Sequence, residues 1–151
     1  MIKDVAVKKL VKHTDDRGFF MEILRDDDNL LKKFGQASAS LTYPGVIKAF
    51  HYHKKQDDLW FFPSGNAQVV LHDIREDSPT KGETNVLYMG ENNPILVYIP
   101  VGVAHGYRVL GNAPATIVYF TTESYDAKNP DEYRIDWNDP SIGFDWTTRN
   151  R

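Results

Sequence analysis

The sequence contains no cysteine, so neither a disulfide nor a thiolate-bound metal contributes to it. It also lacks any apolar run near the ~20 residues of a membrane-crossing helix. The longest run, Ile95 to Val103, is far too short, and a membrane protein is excluded. The opening Met1-Ile2-Lys3-Asp4 has none of the basic, apolar and small-residue stretches of a secretory leader, so the expected location is the cytoplasm. An excess of positive charge is missing too: the formal net charge is -3, with Lys and Arg scattered. That argues against binding nucleic acid through phosphate neutralisation. No repeat, low-complexity tract or Pro/Gly/Ser-rich linker interrupts the 151 residues, so one domain spanning 1–151 is expected, with a small molecule or a like subunit as partner. Aromatic residues are plentiful at 13%, a composition suited to β-strands and to a pocket that stacks on planar or sugar-like rings.

Short segments rich in β-branched and aromatic residues dominate the chain: Val46-Phe50, Leu59-Phe62, Gln68-Ile74, Thr84-Met89, Ile95-Ile99, Tyr107-Leu110 and Thr116-Thr121. Turn chemistry separates them, as at Pro44-Gly45, Pro63-Ser64-Gly65-Asn66 and Ser78-Pro79-Thr80-Lys81-Gly82. One helix is expected over Asp28 to Phe34, capped by the preceding aspartates, with Leu30, Leu31 and Phe34 on one face and Gly35 after it. Many short strands and one or two short helices make an all-β sandwich, jelly roll or barrel, whose interior is the natural place for a ligand.

Two clusters carry chemistry. In Gly45-Val-Ile-Lys-Ala-Phe-His51-Tyr-His53 the two histidines share a face by strand alternation, and Asp58 follows on the next strand. Pro100-Val-Gly-Val-Ala-His105-Gly-Tyr107 adds a third imidazole. An isolated HxH pair is most often the polar lining of a half-buried strand; His51, His53, Asp58 and His105 together have the composition of a divalent-metal site for Zn, Mn, Ni or Fe. Their spacing resembles the two cupin motifs, with Asp58 where Glu is usual and Pro94 where the second motif begins with Gly. This implies a cupin barrel, a double-stranded β-helix or jelly roll.

A third set of motifs surrounds the histidines: Asp16-Arg17-Gly18-Phe19-Phe20-Met21-Glu22, Gln36-Ala37-Ser38-Ala39-Ser40, Asp77 to Gly82, Thr121-Thr122-Glu123-Ser124-Tyr125 and Trp137-Asn138-Asp139-Pro140 through Trp146. In this order they resemble the dTDP-4-dehydrorhamnose 3,5-epimerase family, and the short length is similar to a spore coat polysaccharide branch of it in bacilli. The resemblance implies a sugar-nucleotide epimerase or isomerase acting on a dTDP-4-keto-6-deoxyhexose in deoxysugar and surface polysaccharide biosynthesis. It further implies a homodimer and no required cofactor. Residue by residue, it makes His51 the general base and Tyr125 the general acid. Arg17, Glu22, Gln36, Lys48 and His105 become substrate-binding groups, the first four forming a polar wall for the nucleotide diphosphate. Ser38 stands in place of an asparagine and Lys48 in place of an arginine.

The resemblance also implies a lysine seven residues after the basic histidine, to stabilise an enolate, and an aspartate beyond the WNDP stretch, to orient that histidine. Asp58 occupies the first position, and the chain carries no segment matching the second. A bare carboxylate repels an enolate; a metal bound by the histidines and Asp58 would reverse that sign, but a ligating His51 is no longer a free base. Three readings follow: an epimerase, a metal-dependent cupin enzyme, and a non-catalytic binder of sugar nucleotides.

Overall fold

The computed structural model describes residues 1–148, so the last three residues of the expected 1–151 domain lie outside it. Twelve strands are present among these residues: β1 Ala6–Lys9, β2 His13–Asp15, β3 Gly18–Phe20, β4 Gln36–Thr42, β5 Ile47–Tyr52, β6 Asp58–Ser64, β7 Asn66–Asp73, β8 Thr84–Gly90, β9 Ile95–Ile99, β10 Val103–Leu110, β11 Ala115–Thr121 and β12 Tyr133–Arg134. They form two five-stranded sheets, β1-β9-β6-β11-β4 and β12-β5-β10-β7-β8, and a separate β2-β3 hairpin, all antiparallel. None of the described helices is long and apolar enough to cross a membrane.

Strand alternation explains how each sheet serves two cores. In β6, Trp60 and Phe62 join Val69, Leu71, Val97, Tyr107 and Ile117 in the principal cluster, while Leu59 and Phe61 turn to the opposite face. There they meet Leu96 and Tyr98 under Met21, Ile23, Leu30 and Leu31. On the second sheet, Phe50, Val70 and Ala104 are covered by the C-terminal segment through Trp146, Ile142 and Phe144. Coverage on both faces is why these strands read as continuous apolar runs instead of alternating ones.

The helix expected over Asp28 to Phe34 is absent. One 3₁₀ turn, Asp26–Asp28, ends at Asn29, which adopts a left-handed conformation with φ 54°. The Asp28 carboxylate accepts the backbone N–H of Arg25 and pairs with Lys8, so the aspartates close a tight turn instead of capping a helix. Leu30 and Leu31 still pack toward the sheet, whereas Phe34 is 64% exposed.

Two local features hold β7 and β10 in place. At the end of β7, the fully buried Asp73 carboxylate accepts hydrogen bonds from Arg75 Nε (2.9 Å) and Nη2 (2.8 Å), Ser78 Oγ (2.6 Å) and Thr80 Oγ1 (2.7 Å), gathering the SPTKG loop around one anion. Between His105 and Tyr107 the pairing of β10 with β5 slips register, and Gly106 fills the slip. A Cβ there would lie 2.4 Å from Ala49 Cβ and 2.9 Å from the Lys48 carbonyl oxygen. Gly106→Ala is therefore expected to push β5 off β10 at a cost of about 1–3 kcal/mol, visible as a melting temperature lower by roughly 3–10 °C.

Candidate active site

Between the sheets lies a cavity of about 800 Å³, walled by β4, β5, β6, β10 and β11 and by the segment 123–132. His51 reaches it from β5, His53 from the position just after that strand, Asp58 from the first position of β6, and His105 from the third position of β10. His105 stands directly opposite His51 in the β10–β5 pairing.

The structure divides the histidines into two groups. His53 donates from Nδ1 to the Asp131 carbonyl, and His105 donates from Nδ1 to the Val103 carbonyl at 2.9 Å. Those bonds place a proton on Nδ1 of each ring and leave Nε2 as the ring atom available to other partners. Both Nε2 atoms face Asp58, at 3.7 Å from His53 and 3.8 Å from His105. The carboxylate is 4% exposed and accepts hydrogen bonds from Gln56 Nε2 (2.9 Å) and Trp60 Nε1 (3.0 Å). One ligating atom from each of His53, Asp58 and His105 lies within 4.8 Å of the others. Burial lowers the pKa of His105 and keeps the ring neutral.

His51 does not join that trio, which corrects the expected four-residue metal set. Its Nδ1 instead faces Glu132 Oε1 at 3.4 Å, because β12 pairs with β5 and sets Arg134 opposite His51. Burial lowers the His51 pKa, opposed by the negative charge of Glu132. Glu132 is itself acidic on balance: burial would raise its pKa, but the Arg134 hydrogen bond and the neighbouring His51 outweigh that. A neutral imidazole with a carboxylate beside Nδ1 keeps Nε2 as its basic atom.

Tyr125 lines the same cavity, and its backbone N–H donates to Gln36 Oε1 at 2.9 Å. The other end of that amide donates to Ser38 Oγ at 2.9 Å, so Gln36 is engaged in positioning the Tyr125 segment. Lys48 also lines the cavity, donating to the neutral Ser40 hydroxyl at 3.0 Å. Arg17 and Glu22 do not reach it. The Arg17 side chain is 85% exposed at the β2–β3 turn and pairs with Asp15, while Glu22 pairs with Arg25 at 3.2 Å. The four-residue wall expected from sequence is thus represented within one chain by Gln36 and Lys48 alone.

Two residues that the sequence analysis passed over complete the site. Glu132 backs His51, and Asp131 organises the turn between β5 and β6. The Asp131 carboxylate accepts the backbone N–H groups of Lys54 (3.0 Å), Lys55 (2.8 Å) and Gln56 (3.0 Å), and its carbonyl fixes His53. Burial would raise its pKa, yet these three bonds hold it below the ordinary value. The available signal was the acidic pair itself, set just before Tyr-Arg-Ile in an otherwise featureless stretch.

Comparison with known proteins places this geometry. The family model described as dTDP-4-dehydrorhamnose 3,5-epimerase matches residues 1–151. The chain is 70% identical, over all 151 residues of each, to the spore coat polysaccharide biosynthesis protein SpsL of Bacillus subtilis (strain 168). It superposes on the dTDP sugar isomerase of Desulfovibrio desulfuricans G20 with a TM-score of 0.90 and 27% identity, covering 99% of this chain and 94% of that one. The dTDP-6-deoxy-D-glucose-3,5-epimerase of Legionella pneumophila, solved with dTDP-4-keto-L-rhamnose, gives 0.85 and 31% over 96% of this chain and 79% of that one. The two facing sheets are the cupin-type barrel of these enzymes. With a matching family model, a close relative and this shared architecture, the chain belongs to the dTDP-4-dehydrorhamnose 3,5-epimerase family.

Proposed function

We propose that the protein is a cytoplasmic epimerase of a dTDP-4-keto-6-deoxyhexose, supplying a deoxysugar for surface polysaccharide. The observation that carries this reading is His51: a half-buried imidazole on the cavity wall, its pKa lowered by burial and its Nδ1 backed by Glu132. A ketone at C4 acidifies the hydrogens at C3 and C5. Inversion then requires a base to take one proton, stabilisation of the enolate, and a donor on the other face. His51 is assigned the first role and Tyr125, from a separate segment of the same cavity, the last. His105 and Lys48, which line the same cavity, are assigned to substrate binding.

Nucleotide binding by Arg17 and Glu22 requires a second copy, since both lie outside their own chain's cavity. The hairpin that bears Arg17 also exposes Phe19 and Phe20, apolar surface that a homodimer would cover. Incubating the protein with a dTDP-4-keto-6-deoxyhexose in deuterated water tests the reading. Deuterium is expected at a carbon beside the ketone, read by mass spectrometry, with the epimer forming more slowly. No uptake from a sugar nucleotide that demonstrably binds would make the protein a non-catalytic binder.

A further inference from the structure

The floor of the cavity poses an electrostatic problem. Two imidazole Nε2 atoms and a buried carboxylate converge, and the Nδ1 protons of both rings are committed to the carbonyls of Asp131 and Val103. Gln56 and Trp60 each donate one hydrogen bond to the carboxylate, but its charge stays in a place with little contact with water and, among the described residues, has no fixed cation beside it. A cation among the three atoms resolves it.

We propose that His53, Asp58 and His105 bind one divalent transition-metal ion per chain. Two histidines and one carboxylate are the donor set of open octahedral and tetrahedral sites for Fe, Mn, Co or Zn. Each imidazole has the outer hydrogen bond that orients a ligating ring, and the carboxylate is held from behind by Gln56 and Trp60. Metal bonds of 2.0–2.2 Å put ligand atoms about 3.0–3.5 Å apart; His53 Nε2 lies 3.7 Å from Asp58 Oδ1 and His105 Nε2 3.8 Å from Oδ2, and one ligand atom from each of the three residues lies within 4.8 Å of the others. All three residues line the cavity, which provides the entry path and leaves the open coordination positions facing it.

The separation of His51 from the trio removes the conflict between base and ligand: His51 keeps its lone pair while the other two histidines give theirs. The binding stands independently of the epimerase reading, on which only the role of the ion rests. In that role it supplies a Lewis acid where Asp58 replaces the lysine implied by the family resemblance, offsetting the charge that develops on the C4 oxygen.

The test is a titration of the full chain, stripped with EDTA, dialysed, and followed by calorimetry and by Co(II) absorption. One Co(II) per chain is expected, with a micromolar or tighter dissociation constant and a spectrum of mixed nitrogen and oxygen coordination. Asp58→Asn and His105→Gln, each checked for folding by circular dichroism, should weaken binding by at least about a hundredfold. His51→Gln should bind as the parent does. No saturation at millimolar Co(II), or stoichiometric binding that survives both substitutions, overturns the site; the parent spectrum decides even if a variant fails to fold. Binding without isotope uptake supports the site and overturns the epimerase reading. Equal uptake by stripped and loaded protein overturns the Lewis-acid role and supports the epimerase reading.

Discussion

His51→Ala is expected to abolish deuterium uptake from solvent, with a loss of about 10³-fold or more, equivalent to roughly 4 kcal/mol of barrier. No other imidazole can take over, because His53 and His105 hold their Nδ1 protons on backbone carbonyls and direct Nε2 at Asp58. Glu132→Gln provides the sharper control. The carboxylate raises the His51 pKa against the larger lowering by burial, so its removal moves that pKa further down. The acid limb of the pH–rate profile should therefore shift to lower pH while the maximal rate falls about tenfold, as expected when the imidazolium loses its partner. A residue that merely supported the fold would lower the rate without moving the limb. Tyr125→Phe should separate the two proton transfers: exchange from the base side persists, and inversion is blocked.

The second large effect concerns stability. Asp73→Ala removes the anion to which Arg75, Ser78 and Thr80 all donate, leaving a mostly buried guanidinium and two hydroxyls without their acceptor. Breaking a buried pair from one side costs about 3–5 kcal/mol, readable by urea unfolding. Burial alone would raise the Asp73 pKa, but the bonds from Arg75, Ser78 and Thr80 outweigh it and set the folded value well below the usual 3.8. A folded pKa below the unfolded one gives stability that is complete above about 3.8 and is lost as pH falls toward the folded value. Asp73→Asn should accordingly flatten the stability profile below pH 4, and an acid transition unchanged from the parent's would rule this carboxylate out as its source.

Legibility in the sequence tracked burial. Strands β6, β7 and β9, apolar on both faces, announce themselves through Leu59–Phe62, Val69–Leu71 and Ile95–Ile99. β4 does not, because Gln36-Ala-Ser-Ala-Ser-Leu-Thr is an edge strand of small and polar residues whose partner β11 supplies the bulk. The aspartates at 26–28 read as a helix cap because the competing partners of Asp28, Lys8 and the Arg25 amide, cannot be inferred from spacing. For the site, HxH with Asp58 and His105 was visible as a set of donors. The exclusion of His51 from that set was not visible, since it depends on a two-residue strand that pairs positions 133–134 with 51–52. Arg17 was placed by motif alone, and a motif does not say whether the side chain reaches the cavity of its own chain.

Asp131 has a consequence in time as well as in space. Protein synthesis runs from the N-terminus, so β5, β6 and β10 are all made before the residue that fixes the His53 ring and satisfies the amides of Lys54, Lys55 and Gln56. Until the ribosome has read past Glu132, His51 and His53 exist without their orienting partners and the 54–56 turn exposes three unpaired N–H groups, the kind of segment that proteases cut first. Competence therefore arrives late and all at once. A nascent or truncated product that stops short of that point can have most of the barrel's strands and still be unable to present its base or close its buried trio.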